Sequence, residues 1–336
     1  MSTSTAPPAE LAPVVDAFAA AAAGQRRLVI RGGGSVLDRL PPTDAEVVST
    51  AELTGVIDHR PEDLVVTVRG GTPLQELAAL LATHGQECPI EPLAGHGSTV
   101  GGRVAAALAG PRQLQAGRVR DWVLRVRMVT GDARVVTAGG VTVKDVTGYD
   151  LCRLAAGSWG SLGLLAEITL KLRPIPTQSA WFTTHLPAGR ILSTLYRPAA
   201  VVSTPTGTFV HLEEHPDDVA AQATVAGLEP AAAPRWPTAA RAAVDPARLR
   251  EVTALAASAG LDHTAFEGVG VCLVDGDADA IATFGDRVVR LGGHLLHLDA
   301  GAHGGPARAT TTDAMGERVR AALDPHRILL DPRESR

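Results

Sequence analysis

The chain has 336 residues, enough for two domains, and its 45% hydrophobic and 20% charged residues are ordinary for a folded globular protein. A net charge of −5 gives no electrostatic reason to expect nucleic acid or an anionic membrane as partner, and 3% aromatics leave little for base stacking. The three cysteines, Cys88, Cys152 and Cys272, stand apart without metal-ligand spacing, so buried thiols are expected and neither a disulfide framework nor a metal site.

In chain order, residues 1–8 are rich in Ser, Thr and Pro and read as disordered. Glu10 to Ala23 reads as a short helix. It contains Asp16 and lacks a positive leading segment, so it is not expected to be a signal peptide, and no apolar run approaches the roughly 20 residues of a membrane span. Arg27 to Ile30 reads as a buried strand running into Arg31-Gly32-Gly33-Gly34-Ser35. Val47 to Ser49 and Leu64 to Val68 read as further strands. Thr72 is placed to cap a helix with Pro73 at its first position, over Leu74 to His84.

A second glycine loop, Gly95 to Gly102, leads into the small residues 104–109. Asp121 to Thr130 alternates apolar and polar residues as a strand does, and Gly131-Asp132 turns it into a partner at Arg134 to Thr137. A helix is expected from Asp150 to Ala155, capped by Thr147 or Asp150. A third glycine turn, Gly157 to Gly163, then opens the strand Leu164 to Leu172. The run Arg173-Pro174-Ile175-Pro176 breaks the pattern and marks a boundary. Beyond it, strand-like Val269 to Val274 and the Ala-rich helix Glu251 to Gly260 mix with a loop at Pro230 to Pro237. Hairpins among interleaved helices and strands argue an α+β fold rather than a doubly wound sheet.

Glycine runs let the backbone approach an anion closely, and consecutive amides in such turns form an anion-binding concavity. Two such loops, 31–35 and 95–102, suggest a bound nucleotide. Neither fits a dinucleotide fingerprint, because the stretch after Ser35 is too short and proline-limited for the required helix, and no Gly-Lys-Ser/Thr follows a glycine run. Lys144 could neutralise a phosphate or simply pair with Asp145.

Taken together, residues 31–35, 68–77, 97–112, 120–131, 143–176 and 323–332 resemble the FAD-binding domain of the vanillyl-alcohol oxidase/p-cresol methylhydroxylase superfamily, and within it the E-type subunits of bacterial glycolate oxidase. The likeness is dense over 28–176 and returns at the C-terminus. It implies a PCMH-type FAD-binding domain over 1–176, a smaller cap-like α+β domain over 177–300, and a closing segment over 301–336. It implicates Arg31, Gly32, Gly33, Gly34, Ser35, Gly97, Ser98, Thr99, Gly101, Gly102, Thr147, Gly148, Gly160, Gly163 and Leu165 in holding FAD. Members that bind flavin covalently place a histidine where Gly34 stands, so non-covalent FAD is expected. The closing segment departs from the family's Asn-Pro-Gly ending, with Asp331 and Arg333 in the outer slots.

Oxidising a 2-hydroxy acid needs a cation for the carboxylate and a base for the hydroxyl proton. His294 and His297 are the sequence candidates, with His303 nearby, although on a strand 294 and 297 face opposite sides. The resemblance implies an FAD-dependent oxidoreductase subunit working beside a D-type catalytic flavin subunit and an iron–sulfur subunit, with a small hydroxy acid such as glycolate as substrate. With no signal peptide or membrane span expected, the protein is expected to be cytoplasmic, with any membrane association running through those partners. A flavin-holding scaffold and a stand-alone flavin oxidase are the alternatives.

Overall fold

The computed structural model describes residues 2–3, 8–39, 44–90, 97–108, 110–140, 150–298, 307–308 and 314–332. Two compact units divide the chain: 1–108 with 118–175 and 311–336, and 109–117 with 176–310. Both mix helices with antiparallel sheet, an α+β architecture.

In the first unit, a 3-10 turn at Ala9–Leu11 leads into α1 (Ala12–Ala23), with Pro13 in its opening turn and the amide of Gly24 closing on Ala20 O. Leu11, Val14, Phe18 and Ala21 recur at helical spacing, and all are buried. They pack against Leu28 of β1 (Leu28–Arg31), Val48 of β2 (Glu46–Ser49), Val129, Leu164 and the C-terminal Ile328 and Leu329. β1 and β2 run parallel, in register from Leu28 with Glu46 to Arg31 with Ser49. β1 also takes up the tail: Leu28 donates to Ile328 O at 2.6 Å and Leu330 donates to Leu28 O at 2.8 Å.

A six-stranded antiparallel sheet carries the rest of this unit. It contains β3 (Val56–Arg60), β4 (Val65–Arg69), β6 (Val123–Val129), β7 (Val135–Gly139) and β8 (Leu164–Lys171), and β5 (Gln86–Glu87) pairs separately with Arg173–Pro174. The order is Ser2–Thr3, β7, β6, β8, β4, β3. Ser2–Thr3 therefore joins a sheet edge, where disorder was expected, because its backbone finds partners at Val136 and Thr137. The β6–β7 hairpin turns at 130–134, Thr130 donating to Arg134 O at 3.0 Å.

Two local expectations are corrected. Thr72 does not cap α2 (Leu74–Ala82); Pro73 occupies the cap position, and the Thr72 hydroxyl accepts from Gly55 N at 3.0 Å and donates to Gly55 O at 3.2 Å. The strand expected from Asp121 starts at Val123, because the Asp121 carboxylate accepts from Arg118 N at 2.9 Å and holds 119–121 as a 3-10 turn.

The second unit is built on an antiparallel sheet containing β9 (Gln178–Thr184), β10 (Ala200–Thr204), β11 (Gly207–Glu214), β12 (Ala240–Ala243), β13 (Asp262–Phe266), β14 (Val271–Asp275) and β15 (His294–His297). Its order is Glu229–Pro230, β9, β11, β10, β13, β14, β12, β15, Ala307–Arg308. Helices cover one face. Ile281, Phe284 and Val288 of the helix Ala278–Arg290 pack with Leu249, Val252 and Ala256 of the helix Leu249–Ser258 over Ala240, Ala242, Ala265, Cys272 and Val274. Burial pushes the Cys272 thiol up to about 12, keeping it a protonated core group. Among the described residues, no helix is long and apolar enough to cross a membrane.

Candidate functional site: a glycine-walled cleft

The strand β1 delivers its C-terminal residues into the first glycine loop. Gly33 meets the second loop so closely that a Cβ on it would lie 1.4 Å from the carbonyl oxygen of Gly97. A Cβ on Gly32 would lie 2.5 Å from Thr99 Oγ1, and one on Gly101 would lie 2.7 Å from Gly70 O. Real Cβ atoms do not tolerate such distances, so these positions are glycine because two stretches of backbone pass each other there. Ser98 ties the same crossing by donating to Ser35 Oγ at 3.1 Å.

The second loop is anchored from the sheet outward. Gly70 donates to Ala166 O on β8 at 2.8 Å, Gly101 donates to Gly70 O at 2.7 Å, and Val100 donates to Thr72 O at 2.9 Å. Thr99 caps the short helix α3 (Val100–Ala106), its hydroxyl accepting from Gly102 N at 3.2 Å. Gly101, Gly102, Ala105 and Ala106 thus present a wall without side-chain bulk.

The third glycine turn closes the site. Asp150 caps the following helix α4 (Leu151–Ala155), its carboxylate accepting from Arg153 N at 3.1 Å. Gly157 donates to Val104 O and Trp159 to Ala105 O, at 3.1 and 3.0 Å, which pins this turn against α3. Gly163 then enters β8 at φ +150°, where a Cβ would lie 2.6 Å from Val129 O.

These segments enclose an open cleft of about 700 Å3, counting the space open to solvent. Of the residues implicated from sequence, Gly32, Gly33, Gly34, Ser35, Thr99, Gly101, Gly102, Gly160, Gly163 and Leu165 line it. Gly97 and Ser98 stand behind the lining as its support. Arg31 turns aside to Asp38, with contacts of 3.0 and 2.5 Å. The hydrogen bond and the charge of Asp38 raise the guanidinium's pKa further, so Arg31 stays a cation at every working pH. Thr147 and Gly148 lie outside the described residues, as do Gly95, Lys144 and Arg333.

Sequence reasoning missed Ile30, Thr50, Trp159 and Pro332, which also line the cleft. Trp159 left a signal, a bulky residue between the glycines of Gly157-Ser158-Trp159-Gly160. Thr50 left none, since only the β1–β2 pairing brings it to Arg31, whose carbonyl accepts its amide at 3.0 Å.

The cleft suits a ligand rich in hydrogen-bond acceptors, such as a phosphate-bearing one, on two observations. The amides of Gly33 and Gly34 donate to no group among the described residues, although both glycines line the cleft. The Thr50 hydroxyl is buried at the same wall and likewise pairs with none of them. A buried hydroxyl without a partner is costly, and a ligand's acceptor relieves it.

Residues 5–139 match the family of FAD binding domains. FAD is the cofactor that this match supports. A segment covering 45% of the chain is 42% identical over 153 residues to glycolate oxidase subunit GlcE of Escherichia coli. Similar segments are 33% identical to D-lactate dehydrogenase of Archaeoglobus fulgidus and 32% identical to glycolate oxidase subunit GlcD of Bacillus subtilis. These matches span 44%, 33% and 32% of the relatives' own lengths. A solved structure of alkyldihydroxyacetonephosphate synthase superposes with a TM-score of 0.68 over 94% of this chain and 73% of its own, at 15% identity. That likeness shows a shared fold.

The second unit holds a further buried polar cluster. Arg112 and Glu213 pair at 2.8 Å, and His211 Nδ1 lies 3.8 Å from Glu213 Oε1. His211 Nε2 is 2.8 Å from Ser179 Oγ, and its ring stacks on Trp181 with centroids 4.6 Å apart. His211 and Glu213 alternate along β11 with Val210 and Leu212, which face the helices, so the cluster occupies the opposite sheet face. His294 is exposed and His297 half-buried on β15, whose register pairs them with Ala243 and Ala240. His303 lies outside the described residues. Among those residues, no group of three or more His, Cys, Asp or Glu could hold a metal ion.

Proposed function

We propose that the chain is the FAD-carrying subunit of a glycolate oxidase or dehydrogenase, acting in flavin-dependent oxidation of a small 2-hydroxy acid, glycolate to glyoxylate. The observation that carries this reading is the 42% identity to a glycolate oxidase subunit across 153 residues. Glycine loops meeting in one cleft support it. Bound FAD supplies a two-electron acceptor. The chain's own part is to hold it, through the amides of Gly32 to Ser35, the Thr99–Gly102 wall, Gly160, Gly163, Leu165 and the Thr50 hydroxyl, with Thr147 and Gly148 added on the sequence resemblance.

The whole chain has three cysteines, too few for a four-cysteine iron–sulfur cluster. Any iron–sulfur centre is therefore proposed to lie in a partner subunit, and the other proposed partner is a D-type flavin subunit. The assembly is proposed to be cytoplasmic, with any membrane contact made by the partners. For the proton, His294 and His297 are the proposed candidates. Lying on opposite faces of β15, only one of the two can serve a given site.

Purified chain, titrated anaerobically with glycolate or D-lactate while the flavin absorbance is followed, tests the reading. Bleaching that requires the partner subunits supports it. Bleaching of the chain alone points to a stand-alone oxidase, and absence of bleaching with partners present leaves a flavin-holding scaffold.

The flavin is proposed to be dissociable. Gly34 has φ +78°, and a Cβ there would lie 2.2 Å from Asp38 Oδ2 and 2.6 Å from the Arg31 guanidinium. Gly34 itself carries no side chain that could bond the flavin. Acid precipitation is expected to leave all the yellow colour in the supernatant. Flavin retained in the washed pellet would contradict this.

A further inference from the structure

Trp159 occupies the left-handed region at φ +55°. A tryptophan there is strained, whereas the adjacent Gly157 and Gly160, at φ +90° and +83°, adopt positive φ freely. The strain is imposed locally. The Trp159 amide donates to Ala105 O at 3.0 Å, and Ser161 is folded back on Ser158 O by its amide at 3.0 Å and its hydroxyl at 2.6 Å. A glycine at 159 would satisfy the same bonds without the penalty, so the indole itself needs an explanation.

Its place in the cleft supplies one. Trp159 is half-buried and is the one aromatic side chain lining the cleft among the described residues. Gly101, Gly102, Ala105 and Ala106 of α3 share the lining. An indole next to a wall of glycine and alanine is a slot for a planar ring. FAD carries two planar rings, and aromatic stacking needs only an exposed π-face.

We propose that Trp159 is a cofactor-binding residue that stacks on a planar ring of bound FAD. This rests on the FAD reading of the cleft. The test is reconstitution of flavin-depleted full-length chain with FAD, following flavin absorbance for uptake and tryptophan emission for contact. The chain has four tryptophans, so the Trp159 contribution is the difference between the native chain and Trp159→Phe.

That difference is expected to vanish on saturation with FAD. Trp159→Phe should bind FAD within about threefold of the native chain, while Trp159→Leu and Trp159→Gly should bind about 10- to 100-fold more weakly, the range of one lost stacking contact. Titration with ADP and with FMN assigns the ring: quenching by ADP gives the adenine, quenching by FMN the isoalloxazine. FAD uptake with Trp159 emission unchanged, or Trp159→Leu binding as tightly as the native chain, overturns the stacking proposal alone. Absence of FAD uptake by the native chain removes the FAD reading and this proposal with it.

Discussion

Replacing Gly33 with alanine is expected to yield a chain that purifies without flavin and melts earlier than the native protein. The added methyl would lie 1.4 Å from the Gly97 carbonyl oxygen and 2.6 Å from its carbon. Both are backbone atoms, so no side-chain rotation can relieve the overlap, and the two glycine loops must separate. Overpacking against rigid backbone costs about 3 kcal/mol or more. Because the loops are the cleft's walls, much of that cost falls on the geometry that receives FAD. At about 1.4 kcal/mol per tenfold, 3 kcal/mol corresponds to a loss of roughly 100-fold in affinity. Gly189→Ala is the control: its Cβ would meet nothing within 4 Å, and its flavin content and melting temperature should match the native chain or slightly exceed it. Equal flavin content in Gly33→Ala and the native chain would refute the loop crossing.

What the sequence discloses about this site follows the range of the forces involved. The apolar spacing of Leu11, Val14, Phe18 and Ala21 is a local period, and the helix and its buried face are readable from it. The hairpin at 130–134 is equally local, since turn and flanking strands all lie between Val123 and Gly139. Thr72 was misread because two hydrogen-bonding roles compete for one hydroxyl, and its partner Gly55 sits 17 residues away. The contact of Arg112 with Glu213 spans 101 positions and leaves no trace in either neighbourhood. Nor does the sequence show that 109–117 leaves the first unit for the second. The glycines of the cleft were legible as loops, but their packing partners were not. Gly33 owes its identity to Gly97, and Gly163 owes its identity to Val129, both through distances that only the tertiary fold sets.

Asp324→Ala should destabilise the first unit by about 3 kcal/mol or more and loosen the cleft from behind. Asp324 is fully buried in the segment that resembles the family's closing motif. Its Oδ1 accepts from Ile328 N at 3.0 Å and its Oδ2 from Leu329 N at 2.9 Å, which folds the tail into the turn that brings Leu330 onto β1. Gly131 makes room for it, since a Cβ there would lie 2.2 Å from the carboxylate. Hydrogen bonds to a charged acceptor are worth about 1.5–3 kcal/mol each, and alanine would leave two buried amides unpaired. For a unit of this size the expected drop in melting temperature is about 6–12 °C. Asparagine offers no rescue, because one of its two positions must set an NH2 against a backbone N–H; Asp324→Asn is expected to lose at least half as much. The cofactor should register the change too. Pro332 lines the cleft a few residues beyond the clamp, so FAD affinity should fall in both variants in proportion to the lost stability. Calorimetry with and without added FAD separates the two effects. A variant that melts earlier yet binds FAD as tightly as the native chain would detach the tail from the site.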